Sequence, residues 1–310
     1  MKISVIVVTY NGMKWIDKCL SCLSKSVIEH RVIVIDNAST DGTPAFIRKN
    51  YQDVTLLEQP QNLGFGIANN IGLSLAIKEN CDYIFLLNQD AFVSPETIHT
   101  LIKVANKNIN YGIISPVHLD GTGDKLDQSF SFYIKKDDKN KFISDYVLKK
   151  EIKEIYCLNM INAAAWLLPV KTLNIVGGFQ PMFFLYGEDD NYCQRVLYHG
   201  LQIGVVPSAY IVHDSDNNNL NLPKEGSDKY FEKFLNLIKI RYANVNTNEF
   251  KDIKSLERFY FKISLKALFK FDIKNFQLNL HKSELIGKLD FSKDIEECRK
   301  SCRNYLDLKD

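Results

Sequence analysis

The chain has 310 residues, of which 45% are hydrophobic and 25% charged, and its formal net charge is +2. These values exclude a disordered tail, a collagen-like fibre and a disulfide-stapled miniprotein. Near-neutrality gives no whole-chain drive towards nucleic acid, so no nucleic-acid partner is expected.

Apolar runs such as Ile3–Val8 and Ala163–Val170 fall well short of the ~18 residues of a membrane helix. The first ten residues carry one basic side chain and no small-residue cleavage site. They read as a buried strand and not as a signal peptide, and the expected compartment is the cytoplasm. Seven scattered cysteines fit reduced thiols there. Cys19-x-x-Cys22 lacks a second pair at zinc spacing.

In chain order, Ile3–Val8 is a β-branched run, and Met13–Val27 places Trp15, Cys19, Cys22 and Leu23 at helical spacing. Arg31–Ile35 reads as a strand, Pro44–Asn50 as a helix and Val54–Glu58 as a strand. Gly66–Lys78 reads as a helix, Tyr83–Leu87 as an apolar strand, Pro95–Lys107 as a helix and Tyr111–Ser115 as a strand. Such alternation implies right-handed crossovers and a mostly parallel sheet covered on both faces. Residues 118–150, with the Lys135–Lys141 charge run, read as an exposed excursion of hairpin type. Ile155–Leu168 is strand-like, Gly177-Gly178-Phe179 a turn and Asp190–His199 a helix. Gln202–Val206 and Tyr210–His213 are strands, and Asp214–Gly226 is a loop containing the Asn217–Asn219 tract. From Ser227 the pattern is helical, with turns at Asn244–Asn248, Asp272 and Leu289–Phe291.

Ligands in such sheets sit beyond the C-terminal strand ends, which directs attention to Thr9-Tyr10-Asn11, Asp36–Ser39 and Asn88-Gln89-Asp90. Asp36 can accept from a base imide or a ribose hydroxyl. Asn37, Ser39, Thr40, Asp41 and Gly42 also suit a plain turn. In Asn62–Asn70, Gly64 and Gly66 allow close backbone approach, and the helix start offers free N–H groups. Asp90, at a strand tip, suits Mg²⁺ or Mn²⁺ bridging to a diphosphate, or else caps the next helix. Glu188-Asp189-Asp190 are three mutually repelling acids before a helix. They either complement its dipole or supply a general base beside a metal–diphosphate. Arg195 lies further along the same helix and can pair with one of the acids. His213 ends a strand near carboxylates, as a metal ligand would.

Taken together, Val8-Thr9-Tyr10-Asn11, Asp36–Gly42, Asn62-x-Gly64-Phe65-Gly66-x-x-Asn69-Asn70-x-Gly72, Asn88-Gln89-Asp90, Gly177-Gly178-Phe179, Phe183–Arg195 and Val212-His213 form an ordered set. In that set the chain resembles the family 2 glycosyltransferases of the GT-A fold, in their rhamnosyltransferase-like branch. The resemblance implies a mostly parallel central sheet flanked by helices, with a helical C-terminal extension. Its expected organisation is a catalytic domain at 1–215, divided into a nucleotide-sugar half at 1–115 and an acceptor half at 116–215, with the extension at 216–310.

It further implies that Thr9, Asn11 and Asp36 hold the base and ribose. Tyr10, Asn37, Ser39, Asn62, Gly64, Phe65, Asn69, Asn88 and Gln89 are the other expected nucleotide-sugar residues. Asn88-Gln89-Asp90 occupies the family's D-x-D position, with Asn in place of the first Asp. Asp90 and His213 would hold Mg²⁺ or Mn²⁺. Glu188 and Asp189 match the catalytic acidic pair, with Asp189 as base, although Asn191 stands where the family usually has an Asp. Asp190 is expected on the acceptor side, and Trp166 either there or as a core aromatic. The implied reaction is a single inverting displacement from a nucleotide sugar, with a lean towards dTDP-rhamnose, onto a glycan or lipid-linked acceptor.

Two alternatives stand beside this reading. A sugar-nucleotide nucleotidyltransferase would carry a Gly-rich basic loop where this chain has Thr9–Lys14. A catalytically silent glycan- or partner-binding module would fit the Asn88 and Asn191 departures. In the last third, Lys254, Arg258, Lys262, Lys266, Lys270 and Lys274 recur every four residues among aromatics. Segment 251–288 therefore reads either as a peripheral seat on the inner face of the membrane or as a packed helix with a solvated lysine face. Glu296–Asp307 reads as a final helix suited to pairing chains in a homodimer.

Overall fold

The computed structural model describes residues 1–137, 140–215 and 223–308. The Asn217–Asn219 tract and part of the Lys135–Lys141 run lie outside the described residues. The chain forms two compact units: Met1–Asn217 with Ser301–Asp310, and Asn218–Lys300.

The first unit begins β1 (Ile3–Thr9), α1 (Ile16–Ser24), β2 (Arg31–Asp36), α2 (Thr43–Asn50), β3 (Thr55–Glu58), α3 (Phe65–Lys78), β4 (Tyr83–Asn88), β5 (Ala91–Val93), α4 (Thr97–Lys107) and β6 (Tyr111–Asp120). It continues α5 (Gln128–Lys136), α6 (Phe142–Val147), β7 (Tyr156–Leu158), β8 (Ala165–Pro169), α7 (Val170–Val176), α8 (Glu188–Tyr198) and β9 (Gln202–His213). The sheet order is β3-β2-β1-β4-β8-β6-β9-β5, with β7 also on β9. The β3-β2-β1-β4 run is parallel, as is β6 with β9. β8 enters antiparallel between β4 and β6, and β5 and β7 run antiparallel to β9. The sheet is therefore more mixed than the alternation in the first half implies.

Period-two side-chain alternation divides the strand residues between two cores. Ile6, Ile33 and Leu86 face α3, α7 and α8. Val5, Val7, Val34, Phe85 and Leu87 face α1 and α4. With both faces covered, these strands read as continuous apolar runs.

Residues 118–150 depart from the hairpin expectation. β6 continues through Asp120, and two short helices, α5 and α6, follow. Asp127 caps α5 by accepting from Phe130 N at 2.9 Å, and the i, i+4 pair Phe130 and Ile134 is buried. That pair is a helical signal hidden within polar sequence. β9 is one strand, not two. Val206 pairs with Pro116 and Tyr210 with Val117, so residues 207–209 bulge out and Pro207 gives up no ladder bond.

The second unit holds α9 (Asp228–Tyr242), a 3₁₀ turn at Glu249–Asp252, α10 (Ile253–Phe269), α11 (Ile273–Gly287) and α12 (Ser292–Arg299). The expected Glu296–Asp307 helix stops at Arg299. Beyond it the chain returns to the first unit, where Asn304 O accepts from Gly178 N at 2.8 Å and Asp307 N donates to Ser74 Oγ at 3.0 Å. Backbone groups engaged in these tertiary bonds cannot also close helical turns.

Candidate active site

Three parallel strands bring their ends to one edge of the sheet. Thr9 pairs with Asp36 across β1 and β2, and Val8 pairs with Asn88 across β1 and β4. The antiparallel pairing of β5 with β9 sets His213 opposite Ala91, beside Asp90. Residues far apart in sequence thus meet, with His213 Nε2 3.5 Å from Asp90 Oδ1.

The expected donor-side residues fall into two kinds. In the first, polar atoms are already spent on holding loops. Gln89 Oε1 accepts from Thr9 Oγ1 at 2.6 Å and Tyr10 N at 3.0 Å, while its Nε2 donates to Tyr10 O. Asn11 N donates to Ser39 Oγ, and Asn11 Oδ1 accepts from Thr40 N. Asn37 clasps the next loop, with its Nδ2 donating to Asn62 Oδ1 and Gly64 O and its Oδ1 accepting from Leu63 N. Asn69 Nδ2 donates back to Phe65 O within α3, which relieves the helical cost of an Asn. The Phe65 ring packs edge-on against Phe179 at 5.9 Å.

In the second kind, an acceptor is open. Asp36 is buried, and its Oδ2 accepts from Ser39 N at 2.9 Å. Its Oδ1 and Asn88 Oδ1 are buried without a hydrogen-bond donor, and Asp90 Oδ1 is buried with only the His213 imidazole beside it at 3.5 Å. Buried acceptors seldom go unpaired. Three of them along one sheet edge form a surface that suits hydroxyl or imide donors and a cation.

His213 lies between two carboxylates, since its Nδ1 is 3.5 Å from Asp127 Oδ2. Burial works against the imidazolium, yet Asp127 and Asp90 outweigh it and raise the His213 pKa to about 9. Nearby His118 is fully buried and held down to about 3 by burial and by the positive charge of His213. Asp127 and His118 escaped the sequence reading. The buried Asp127 cap was the signal available for the first, and nothing local marks the second.

The second acidic centre opens α8. Tyr186 (φ 68°) and Gly187 (φ 100°) are both left-handed and turn the chain into the helix. Phe184 is 56% and Tyr186 74% exposed, an aromatic lip beside the acids that the sequence reading did not single out. Phe184 O accepts from Phe65 N at 3.1 Å, and a Cβ on Gly64 (φ 80°) would lie 2.1 Å from that oxygen. Only glycine fits there. Glu188 is 5% exposed, and burial and then the charges of Asp189 and Asp190 raise it to about 8. Burial followed by the Asp189 charge raises Asp190 to about 7, against the opposing pull of Lys136. Asp189 is also raised by burial, while backbone N–H groups of Asp190 (2.9 Å) and Ala163 favour its ionised form. Tyr133 on α5 links the two centres. After burial, the charges of Asp189, Asp190 and Asp127 all push its phenol up.

Two expectations are corrected here. Arg195 pairs with no acid of the trio. It is fully buried and donates to the carbonyls of Val176 and Gly178, pinning the turn before Phe179. Trp166, with the acceptor side as one of its two expected places, is also fully buried, stacked on Phe179 at 6.1 Å and against Tyr192 at 5.7 Å. An indole so enclosed packs the floor under α8, as a core aromatic does.

The acidic trio carries a pH signature. Folded Glu188 holds a proton that the unfolded chain releases above about pH 4.5, so its contribution to stability is greatest below that value. The contribution is lost as pH rises towards 8. Glu188→Gln is expected to melt several degrees above the parent at pH 8, corresponding to roughly 2–4 kcal/mol, and level with it near pH 4. Paired melts across that range check this, and a constant offset would refute it.

A sequence model described as Glycosyl transferase family 2 matches residues 4–162. The N-acetylglucosaminyl-diphospho-decaprenol L-rhamnosyltransferase of Mycobacterium tuberculosis (strain CDC 1551 / Oshkosh) is 25% identical over 234 residues, 67% of this chain and 75% of its own. The dTDP-rhamnosyl transferase RfbF of Shigella flexneri is 25% identical over 213 residues, 68% of each chain. Among solved structures, mannosyltransferase PcManGT from Pyrobaculum calidifontis, in complex with GDP-Man and Mn²⁺, superposes with a TM-score of 0.54 at 20% identity. That match covers 78% of this chain and 63% of the mannosyltransferase, and it speaks to fold alone.

Proposed function

The chain belongs to glycosyl transferase family 2, with a GT-A fold and rhamnosyltransferase-like sequence, and on that footing we propose a metal-dependent, inverting sugar transfer. The donor is a nucleotide-diphosphate sugar, with dTDP-L-rhamnose as first choice because the relatives named above include rhamnosyltransferases. The acceptor is a hydroxyl on a glycan or a lipid-linked glycan of a cell-surface polysaccharide.

The observation that carries this reading is the row of buried acceptors at the ends of β2 and β4: Asp36 Oδ1 and Asn88 Oδ1, which have no donor, and Asp90 Oδ1 beside His213. Asp36 and Asn88 fit the base imide and ribose hydroxyls of the donor. Asp90, with His213 3.5 Å away, fits Mg²⁺ or Mn²⁺. Among the described residues no cluster of three or more His, Cys, Asp or Glu could hold a metal. That suits an ion that takes one or two protein ligands and completes its shell with substrate phosphates and water. Such an ion supplies positive charge against the leaving diphosphate.

The remaining chemistry belongs to the chain. Asp189 accepts the proton of the acceptor hydroxyl as its oxygen bonds to the anomeric carbon. The bond from that carbon to the diphosphate breaks, and the electron pair leaves with the nucleotide. Phe184 and Tyr186 present the acceptor sugar with an apolar face. His213 must lose its proton before Nε2 can take a cation, so metal affinity rises as pH climbs towards 9.

The test is a donor panel read by nucleotide release and by thermal shift. With Mn²⁺, dTDP-L-rhamnose is expected to stabilise the protein and to turn over at least about tenfold faster than UDP-GlcNAc or GDP-mannose. EDTA should abolish both effects. Equal turnover of all donors would defeat the donor assignment, and indifference to EDTA the metal.

A further inference from the structure

The second unit carries an apolar tip that its own packing leaves uncovered. α10 and α11 form an antiparallel hairpin. Lys254 Nζ donates to Gly287 O at 3.2 Å, and Ser283 Oγ donates to Glu257 O at 3.0 Å. The start of one helix therefore lies beside the end of the other, and residues 269–273 form the opposite end.

At that end Phe269 is 83%, Phe271 89% and Ile273 51% exposed. Among the described residues no helix is long and apolar enough to cross a membrane. Isolated exposed hydrophobics need no explanation, but three at one apex do. The turn itself is unusual. Phe271 N bonds to Leu268 O at 2.9 Å and Asp272 N to Ala267 O at 3.0 Å, the bonding of a helix C-cap that normally places glycine in the left-handed position. Here that position is held by Phe271 (φ 58°). A bulky residue is disfavoured in this conformation. The chain thus carries an aromatic ring in water at a position where glycine would be more stable.

Charge indicates what covers the tip. Lys262, Lys266 and Lys270 are exposed along the approach to the apex, and Lys274 follows it, paired with Glu225 at 2.8 Å. Asp272 is the one acid between Lys262 and Lys274, and it is spent on capping α11 through Asn275 N. An apolar point ringed by lysines complements an anionic bilayer, where rings enter the acyl boundary and ammonium groups meet lipid phosphates.

We propose that the α10–α11 tip is a monotopic membrane anchor. It inserts Phe269, Phe271 and Ile273 into an anionic lipid surface while Lys262, Lys266 and Lys270 engage the headgroups. The anchor narrows the broad 251–288 segment to its apex. Its purpose, bringing the transferase to a lipid-linked acceptor, rests on the function proposed above, but the docking does not.

The experiment is flotation of the full-length chain with vesicles, which involves no sugar transfer and so can fail or succeed independently of the donor assignment. Binding is expected to equimolar phosphatidylcholine–phosphatidylglycerol vesicles, to weaken with salt, and to be near background on pure phosphatidylcholine. Phe271→Gly combined with Phe269→Ser is expected to weaken binding at least about tenfold with a melting temperature equal to or above that of the parent, since glycine relieves the turn. Lys262→Glu with Lys266→Glu and Lys270→Glu should weaken it to a similar extent. Phe271→Trp should show blue-shifted emission only with anionic vesicles. Equal binding to neutral vesicles, or retained binding in the Phe271→Gly double variant, overturns the proposal. So does concentration-dependent self-association that the same variant abolishes in a protein that ignores vesicles, because the tip would then cover a second copy of the chain.

Discussion

Asp189→Asn is expected to lower sugar transfer by about 10²–10⁴-fold while leaving the dissociation constant for the nucleotide sugar within about threefold. The reason lies in how the three acids at the start of α8 differ. Glu188 is nearly sealed off, at 5% exposed, and raised to about 8 by burial and by its acidic neighbours. Asp190 is raised to about 7 by burial and by the Asp189 charge. Asp189 is the group whose charge raises the other two, and backbone N–H donors orient its carboxylate. It is therefore the one of the three whose carboxylate is held in a fixed direction by backbone donors. Asparagine keeps its shape and loses its basicity. The acidic limb of the pH–rate profile should go with it, whereas Asp190→Asn should retain a measurable limb. If Asp190→Asn were the silent variant and Asp189→Asn active, the base would be Asp190.

Asp90→Ala is expected to cost transfer at least about 10³-fold and, more tellingly, to erase the extra thermal stabilisation that Mn²⁺ adds to nucleotide binding. Asp90 Oδ1 is buried with the His213 imidazole 3.5 Å away, so alanine removes that ion pair together with the proposed metal contact. Its loss removes one of two carboxylates flanking His213, the other being Asp127 at 3.5 Å. The imidazolium is then less favoured, and its pKa should fall from about 9, which NMR of the ring can follow. His213→Ala should be milder, because Asp90 and the donor phosphates remain to hold the ion. A Mn²⁺ response undiminished in folded Asp90→Ala would remove this residue from the metal site.

The parallel half of the sheet was legible because its strands are buried on both faces. Burial on both faces demands unbroken apolar runs, and the turns between them demand Asn, Asp and Gly. The open acceptors Asp36, Asn88 and Asp90 were found for the same reason, since a polar residue ending such a run lies at the sheet edge. α5 was missed because a mostly exposed helix needs only Phe130 and Ile134 on its buried side, and the surrounding lysines hid them. The resemblance left Trp166 between the acceptor side and the core, and helical spacing left Arg195 beside the acids; neither carries information about depth, and both side chains are fully buried.

By itself the sequence determined the fold class, the edge of the sheet at which polar strand ends gather and which residue types stand there, because strand periodicity and strand-end polarity are local properties. Which of those residues are free was decided by the tertiary structure alone. Gln89, Asn37 and Asn62 are consumed by hydrogen bonds to loops distant in the chain, and Asp90 acquires His213, itself held by Asp127, only once β9 lies against β5 and α5 is capped. A donor or acceptor can be satisfied only by a group within about 3 Å, and proximity at that scale follows from strand pairing and packing, which no single segment contains.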